Sequence, residues 1–275
     1  MTLRAFIALF SGLALAALAA AGGGWPSAAA PVTSKCLAVA MQAGGVIRVS
    51  AQPAPLAGNQ VRLTFVGHST FLIESAAGVR IATDYAGWHG GGPLPDVVTM
   101  NHAHETHYTD HPDPGIPHVL RGWNPKGGWA EHNLTVKDVY IRNVPTNIRS
   151  WESGGTEKFG NSIFIFEVAG LCIGHLGHLH HELTPQQLGQ IGQLDVVLVP
   201  VDGTYTLDPP GMANVIKDLQ ARLIIPMHFF GDWSLNTFLA QMKGDYPVRI
   251  SATKSVILSP ANLPPRPEIL VIPGF

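Results

Sequence analysis

Four histidines fall within residues 102–111, in the stretch "MNHAHETHYTDH", with Glu105 and Asp110 among them. Neutral imidazole nitrogens are good ligands for zinc, iron or nickel, and three of them around one ion leave a fourth position for water. A second group, His175, His178, His180 and His181, lies in "GHLGHLHHELT", and His228 closes the run "LIIPMH". The chain holds thirteen His against five Tyr, and so dense a clustering points to a metal centre. The helical zinc-protease pattern His-Glu-x-x-His is not met: His104-Glu105 begins it, but Tyr108 stands where the second His is required. His107 and His111 are four apart, yet Pro112 and Pro114 follow at once, so the segment reads as a short turn.

Elements must bring these distant groups together. From Val61 the sequence becomes a series of short β-like runs bounded by Gly, Asp, Asn and Pro, at 61–67, 69–75, 79–84, 96–102, 136–145, 162–170, 171–177, 195–203 and 222–228. Helices are expected at 184–192, where Thr184 and Gln187 form a capping box with Pro185 at the first helical position, and at 211–220 and 234–243. Strands that begin as hairpins and later alternate with helices predict an α+β fold, a four-layer αββα sandwich of two mixed sheets with helices outside. His102, His175 and His228 each directly follow an apolar run, so strand ends would carry them to one sheet edge. Alternation puts His102 and His104 on one side, with a turn bringing His107 round to them.

Composition narrows the function classes. The 275 residues are 46% hydrophobic and 13% charged, enough for one sizeable core, and the net charge of −2 without any long Lys/Arg run excludes a nucleic-acid footprint. Residues 1–30 combine Arg4, an apolar stretch over 5–21 and a small-residue exit, the pattern of a secretory signal peptide. Its removal would leave no stable membrane insertion and a periplasmic or secreted protein. Residues 31–58 read as a Pro/Gly/Ala-rich arm, and 59–275 as a single domain. Cys36 and Cys172 lack CxxC spacing, which excludes a thiolate metal site. With Cys36 in a flexible arm and Cys172 in an apolar run, no disulfide between them is expected.

The ordered elements resemble the metallo-β-lactamase-fold hydrolases, most nearly their ascorbate-phosphate-lactonase-like branch. The resemblance spans about residues 60–235: "FVGHSTFLIES" is similar to the opening hairpin, "ATD" with Asp84 to a strand-ending acid, "NHAHETH" to the His-x-His-x-Asp-His signature, and "IPMH" to the last metal motif. It implies that His102 and His104 bind a first metal, that His107 and His228 belong to a second, and that Asp84 is a substrate-facing or ligand-supporting acid.

Two departures stand out. Thr106 occupies the signature Asp position, and His178 stands where that branch has its bridging Asp. Without those carboxylates, two divalent ions a few ångströms apart would repel strongly. One ion, zinc for preference, is therefore expected, with His178 restoring an imidazole to the centre of His102 and His104, and His107 and His228 completing that shell or sitting just outside it. Metal-activated water would then attack a small ester or lactone, or a phosphodiester. Asp84 leads the candidates for orienting that water, with Glu105, Asp110 and Asp202 behind it. The rival reading is a non-catalytic binding protein that has lost the dinuclear site. His68 reads as a hairpin-turn residue, His180 and His181 as a polar pair before a helix, and the loop tryptophans as packing or substrate contacts.

Overall fold

Alternation organises the first hairpin. In the computed structural model, which describes residues 34–37, 55–150 and 154–274, strand β1 (Val61–Gly67) buries Val61, Leu63 and Phe65 and pairs antiparallel with β2 (Thr70–Ser75). Next come β3 (Arg80–Ala82), β4 (Val97–Met100) and β5 (His118–Arg121), with β4 parallel to both its neighbours. A meander follows, of β6 (Asn133–Val136), β7 (Val139–Arg149), β8 (Thr156–Val168) and β9 (Leu171–His175). The remainder alternates: α1 (Pro185–Ile191), β10 (Val196–Pro200), α2 (Pro209–Leu219), β11 (Leu223–Met227), α3 (Asp232–Met242), then β12 (Val248–Ile250), β13 (Ser255–Leu258) and β14 (Glu268–Val271). A six-stranded sheet has the order β13-β1-β2-β3-β4-β5, and an eight-stranded sheet the order β12-β14-β11-β10-β9-β8-β7-β6.

The main core lies between the sheets, where Leu63, Phe71, Ile73 and Ile81 meet Ile141, Phe164, Phe166, Ile173, Leu198 and Ile225. Strands β9, β10 and β11 are parallel and buried on both faces, which is why they read as unbroken apolar runs. Their second face packs against the helices, with Val197, Val199 and Ile224 under Ile191, Met212, Ile216 and Phe238. All three helices among the described residues serve this sheet. The outer face of the six-stranded sheet, Ala82, Val98 and Met100, is covered by Tyr85, Tyr108, Ile116 and Trp123, so among the described residues the fourth layer is loop. The α+β sandwich stands with that difference. Its cause is local: "YAGWHGGGPLPD" and "ETHYTDHPDPGIP" are too rich in Gly and Pro to continue as helices.

Contrary to the expectation from sequence, Cys36 and Cys172 form a disulfide, with Cα atoms 5.9 Å apart. Residues 34–37 are seated on the domain: Glu167 accepts from Ser34 and from the Lys35 N–H, and the Cys36 carbonyl accepts from the Gln193 N–H at 3.1 Å. Gly192 (φ 74) ends α1 here, and a Cβ on it would come within 2.6 Å of the Cys36 carbonyl oxygen. The signal peptide expected over 1–30 lies outside the described residues. Among the described residues no helix is long and apolar enough to cross a membrane.

Candidate metal centre

Strand β4 ends at Met100, and the chain curls at once: the Asn101 N–H donates to the His107 carbonyl at 3.2 Å, and the His107 N–H to the His104 carbonyl at 2.9 Å. The alternation expected of His102 and His104 requires an extended strand, which this turn is not. His104 and His107 face inward, and His102 is separated from them. Its Nδ1 lies 2.9 Å from Glu157 Oε1, and its ring stacks on Trp123 at 5.0 Å in a neighbouring pocket. His178, three residues past β9, and His228, directly after β11, complete a cluster with His104 and His107. Each of the four offers one ring nitrogen, and these atoms lie within 4.8 Å of one another. The Nε2 atoms of His104 and His178 are 3.0 Å apart, as are those of His107 and His228.

What stands behind each ring fixes what it presents in front. Asp84 is fully buried; one oxygen lies 2.8 Å from His107 Nδ1, and the other accepts from Asn101 Nδ2 at 2.7 Å. Burial works to raise its pKa, but His107, His175 and these hydrogen bonds hold it down at about 2. Asp202 Oδ1 lies 2.9 Å from His228 Nδ1, at ion-pair distance without the alignment of a straight hydrogen bond. Asp202 also accepts from the Tyr205 N–H and from Thr206 Oγ1, each at 2.6 Å, and its pKa falls despite burial. Thr106 Oγ1 lies 2.7 Å from His104 Nδ1 and 3.1 Å from His68 Nε2. Burial first, then neighbouring imidazoles, push His104 down to about 4 and His68 to about 3, and lower His107 and His178 as well, so these rings are neutral.

Three residues at the centre, His68 (φ 53), Asp84 (φ 43) and His228 (φ 53), hold left-handed backbone that costs a non-glycine residue energy. Two buried asparagines secure the turn from below. Asn101 Oδ1 accepts from the Ser162 N–H, and Asn161 Oδ1 from the His178 N–H, both at 2.8 Å. Gly177 (φ 59) passes so close that a Cβ would collide with both side chains. Sequence alone does not single out either Asn: Asn101 directly follows β4 and opens "NHAH", while Asn161 lies inside β8, in "GNS".

Of the two acids expected in catalysis, Asp84 spends both oxygens on His107 and Asn101 and so supports a ring instead of reaching water; Glu105 is exposed. His175 is buried apart from the cluster, bonded to the Ser69 carbonyl and the Gly177 N–H. Tyr205, Phe230 and Trp233 are exposed beside the centre, with Phe230 5.3 Å from the His228 ring and 5.5 Å from Tyr205.

The donor set suits a cation. His107 and His228 each turn Nδ1 towards a carboxylate, by a hydrogen bond for His107 and by charge alone for His228, which favours the ring hydrogen there and a lone pair on Nε2. Two lone pairs 3.0 Å apart have no hydrogen to share, and a positive ion between them removes the repulsion.

The sequence profile of the beta-lactamase superfamily domain matches residues 62–228. The chain belongs to the metallo-β-lactamase superfamily. It is 29% identical to a protein from Thermotoga maritima assigned to the Zn-dependent hydrolases of that superfamily, covering 77% of this chain and 98% of that one with a TM-score of 0.54. A metal-dependent hydrolase from Methanoculleus marisnigri is 27% identical over 217 residues, 74% of this chain and 95% of that protein. Another from Thermococcus onnurineus is 23% identical over 189 residues, 62% and 84% of the respective chains. This metallo-β-lactamase-fold protein is a metal-dependent hydrolase whose His cluster can bind a metal.

Proposed function

We propose that this protein is an exported hydrolase that holds one divalent ion, zinc for preference, in the cluster of His104, His107, His178 and His228 and cleaves small uncharged esters or lactones. The observation that carries the reading is the approach of His107 and His228 Nε2 to 3.0 Å, with a carboxylate 2.8 Å behind the first ring and 2.9 Å behind the second that favours the ring hydrogen on Nδ1. Charge supports a single ion: Asp84 and Asp202 offset two positive charges, while a second divalent ion would add two more with no further acid among the clustered residues. A divalent ion supplies Lewis acidity, which polarises a carbonyl and acidifies water. The chain's own residues do the rest: Asp84, Asp202 and Thr106 hold the rings in place, and the buried setting strengthens every charge interaction in the site.

Among the described residues, the cleft beside Asp202, lined by Thr204, Phe230, Gly231, Trp233 and Ser234, carries no cation. The guanidinium of Arg149 nearby is spent on the carbonyls of Thr204, Tyr205 and Thr206. An aromatic rim without a free positive charge favours an uncharged ester or lactone over a phosphodiester. The Cys36–Cys172 disulfide supports export to the periplasm or beyond, because such bonds persist in oxidising compartments. Turnover of a lactone, an aryl ester and a phosphodiester by the wild type and His104→Ala tests the reading. Ester or lactone turnover lost in the variant is expected. Equal background from both proteins favours a non-catalytic binding protein, and a preference for the phosphodiester overturns the substrate class.

A further inference from the structure

The four imidazoles of the cluster differ in what stands behind them, and the difference sets which can give a lone pair to an ion. His178 Nδ1 is in hydrogen-bond contact with His180 Nε2. The other nitrogen of His180, Nδ1, faces the backbone N–H of Arg149 at 2.8 Å and its Nε–H at 3.2 Å. Both Arg149 groups can only donate, so His180 Nδ1 must accept. A neutral imidazole has one hydrogen, and that of His180 is thereby confined to Nε2, where it points at His178 Nδ1. His178 Nδ1 is then an acceptor in turn, and its own single hydrogen sits on Nε2, where it meets the His104 Nε2 lone pair at 3.0 Å; that lone pair can serve the hydrogen or an ion but not both, so an ion on His104 would leave the His178 N–H free to donate elsewhere.

The polarity of this arm is opposite to that of the other two. Asp84 and Asp202 are acceptors, so His107 and His228 keep their hydrogens behind and present lone pairs in front. Thr106 Oγ1, able to donate or accept, lets His104 present Nε2 as a lone pair as well. For His178 to do the same, its hydrogen would have to move to Nδ1, against a His180 N–H that Arg149 holds in place. The polypeptide pins this arrangement from both ends: the His178 N–H is bound to Asn161 Oδ1 at 2.8 Å, and the Arg149 guanidinium to three carbonyls.

We infer that His178 stands in the cluster as a hydrogen-bond donor, and that the ion is held by His104, His107 and His228 alone. Three imidazole ligands leave a position open for reaction, which four would close. The Nε2–H of His178 is then a fixed donor for the negative charge that develops on an attacked carbonyl oxygen, with Arg149 and His180 as the residues that aim it. The inference rests on the metal-centre reading above, and one experiment separates their failures.

X-ray absorption at the zinc edge of zinc-reconstituted wild-type protein counts the imidazoles directly, independently of any variant. Three per ion are expected, and four overturn the inference while leaving the metal centre intact. His178→Gln, which keeps an N–H donor, should retain one zinc per chain with an affinity loss of no more than about 100-fold, the range for groups that touch ligands instead of the ion. Circular dichroism establishes that the variant is folded. A folded His178→Gln that loses zinc as fully as His107→Ala also overturns the inference. Wild-type protein that takes up no zinc overturns both the metal-centre reading and the inference, a result distinct from a four-imidazole spectrum.

Discussion

His107 and His228 lean on carboxylates, whereas His104 and His178 lean on a hydroxyl and on another imidazole. The first pair is fully buried, His107 in the turn after β4 and His228 directly after β11, and each of its supporting acids is held below its usual pKa. In the second pair only His104 is partly exposed, His178 being buried, and no carboxylate stands behind either ring. In this chain the negative charge that stabilises an ion stands one residue back from the rings and on one side only. The turn residue Thr106, where the resembled signature has Asp, holds His104 and His68 together without adding charge.

A change far from both sides calibrates the comparison. Cys172 is the second residue of β9, near the end opposite the cluster, so Cys172→Ser should lower unfolding free energy by about 2–4 kcal/mol in denaturant titrations while leaving metal content unchanged. Asp84→Asn removes charge from the deep side, and metal affinity measured by chelator competition should fall by about 10–100-fold. The imidazoles and the buried acid should also part with pH in metal-free protein. His104 and His68 are depressed from 6.5 to about 4 and about 3, so the unfolded chain takes up their protons first; the stability that depends on their neutrality is full above pH 6.5 and declines as pH falls towards 4. Asp84, lowered from 3.8 to about 2, contributes fully above 3.8 and is lost only between there and about 2. Denaturation midpoints at pH 7, 5 and 3 should therefore fall first through the imidazoles of both sides, His107 included, and only below 3.8 through Asp84; a flat profile down to pH 4 would contradict this. The smallest effect is expected from Thr106→Ala, less than about tenfold in metal affinity. A loss equal to that of Asp84→Asn would erase the distinction between the sides.

Much of this was legible because strands that are buried on both faces and end at a site leave a plain trace: "LIIPMH" and "LCIGHLG" give both the strand and its terminal histidine. The capping box at Thr184 marked α1 for the same local reason. Short strands with little periodicity were not visible. Strands β5, β6, β12, β13 and β14 span three or four residues each, and β13 reveals itself only by pairing with β1 across nearly two hundred residues. His102 was misjudged as a neighbour of His104 because spacing cannot reveal that a strand stops at Met100. The disulfide was missed because composition made the arm look free, whereas Glu167 and Gln193, distant in sequence, seat it.

The central claim is a single ion held by imidazoles on the carboxylate-backed side and joined by His104. Elemental analysis of purified wild-type protein and of folded His107→Ala tests it most directly. The account predicts one divalent metal per chain in the wild type and none in the variant. Two per chain in the wild type, or equal metal in both proteins, would contradict it.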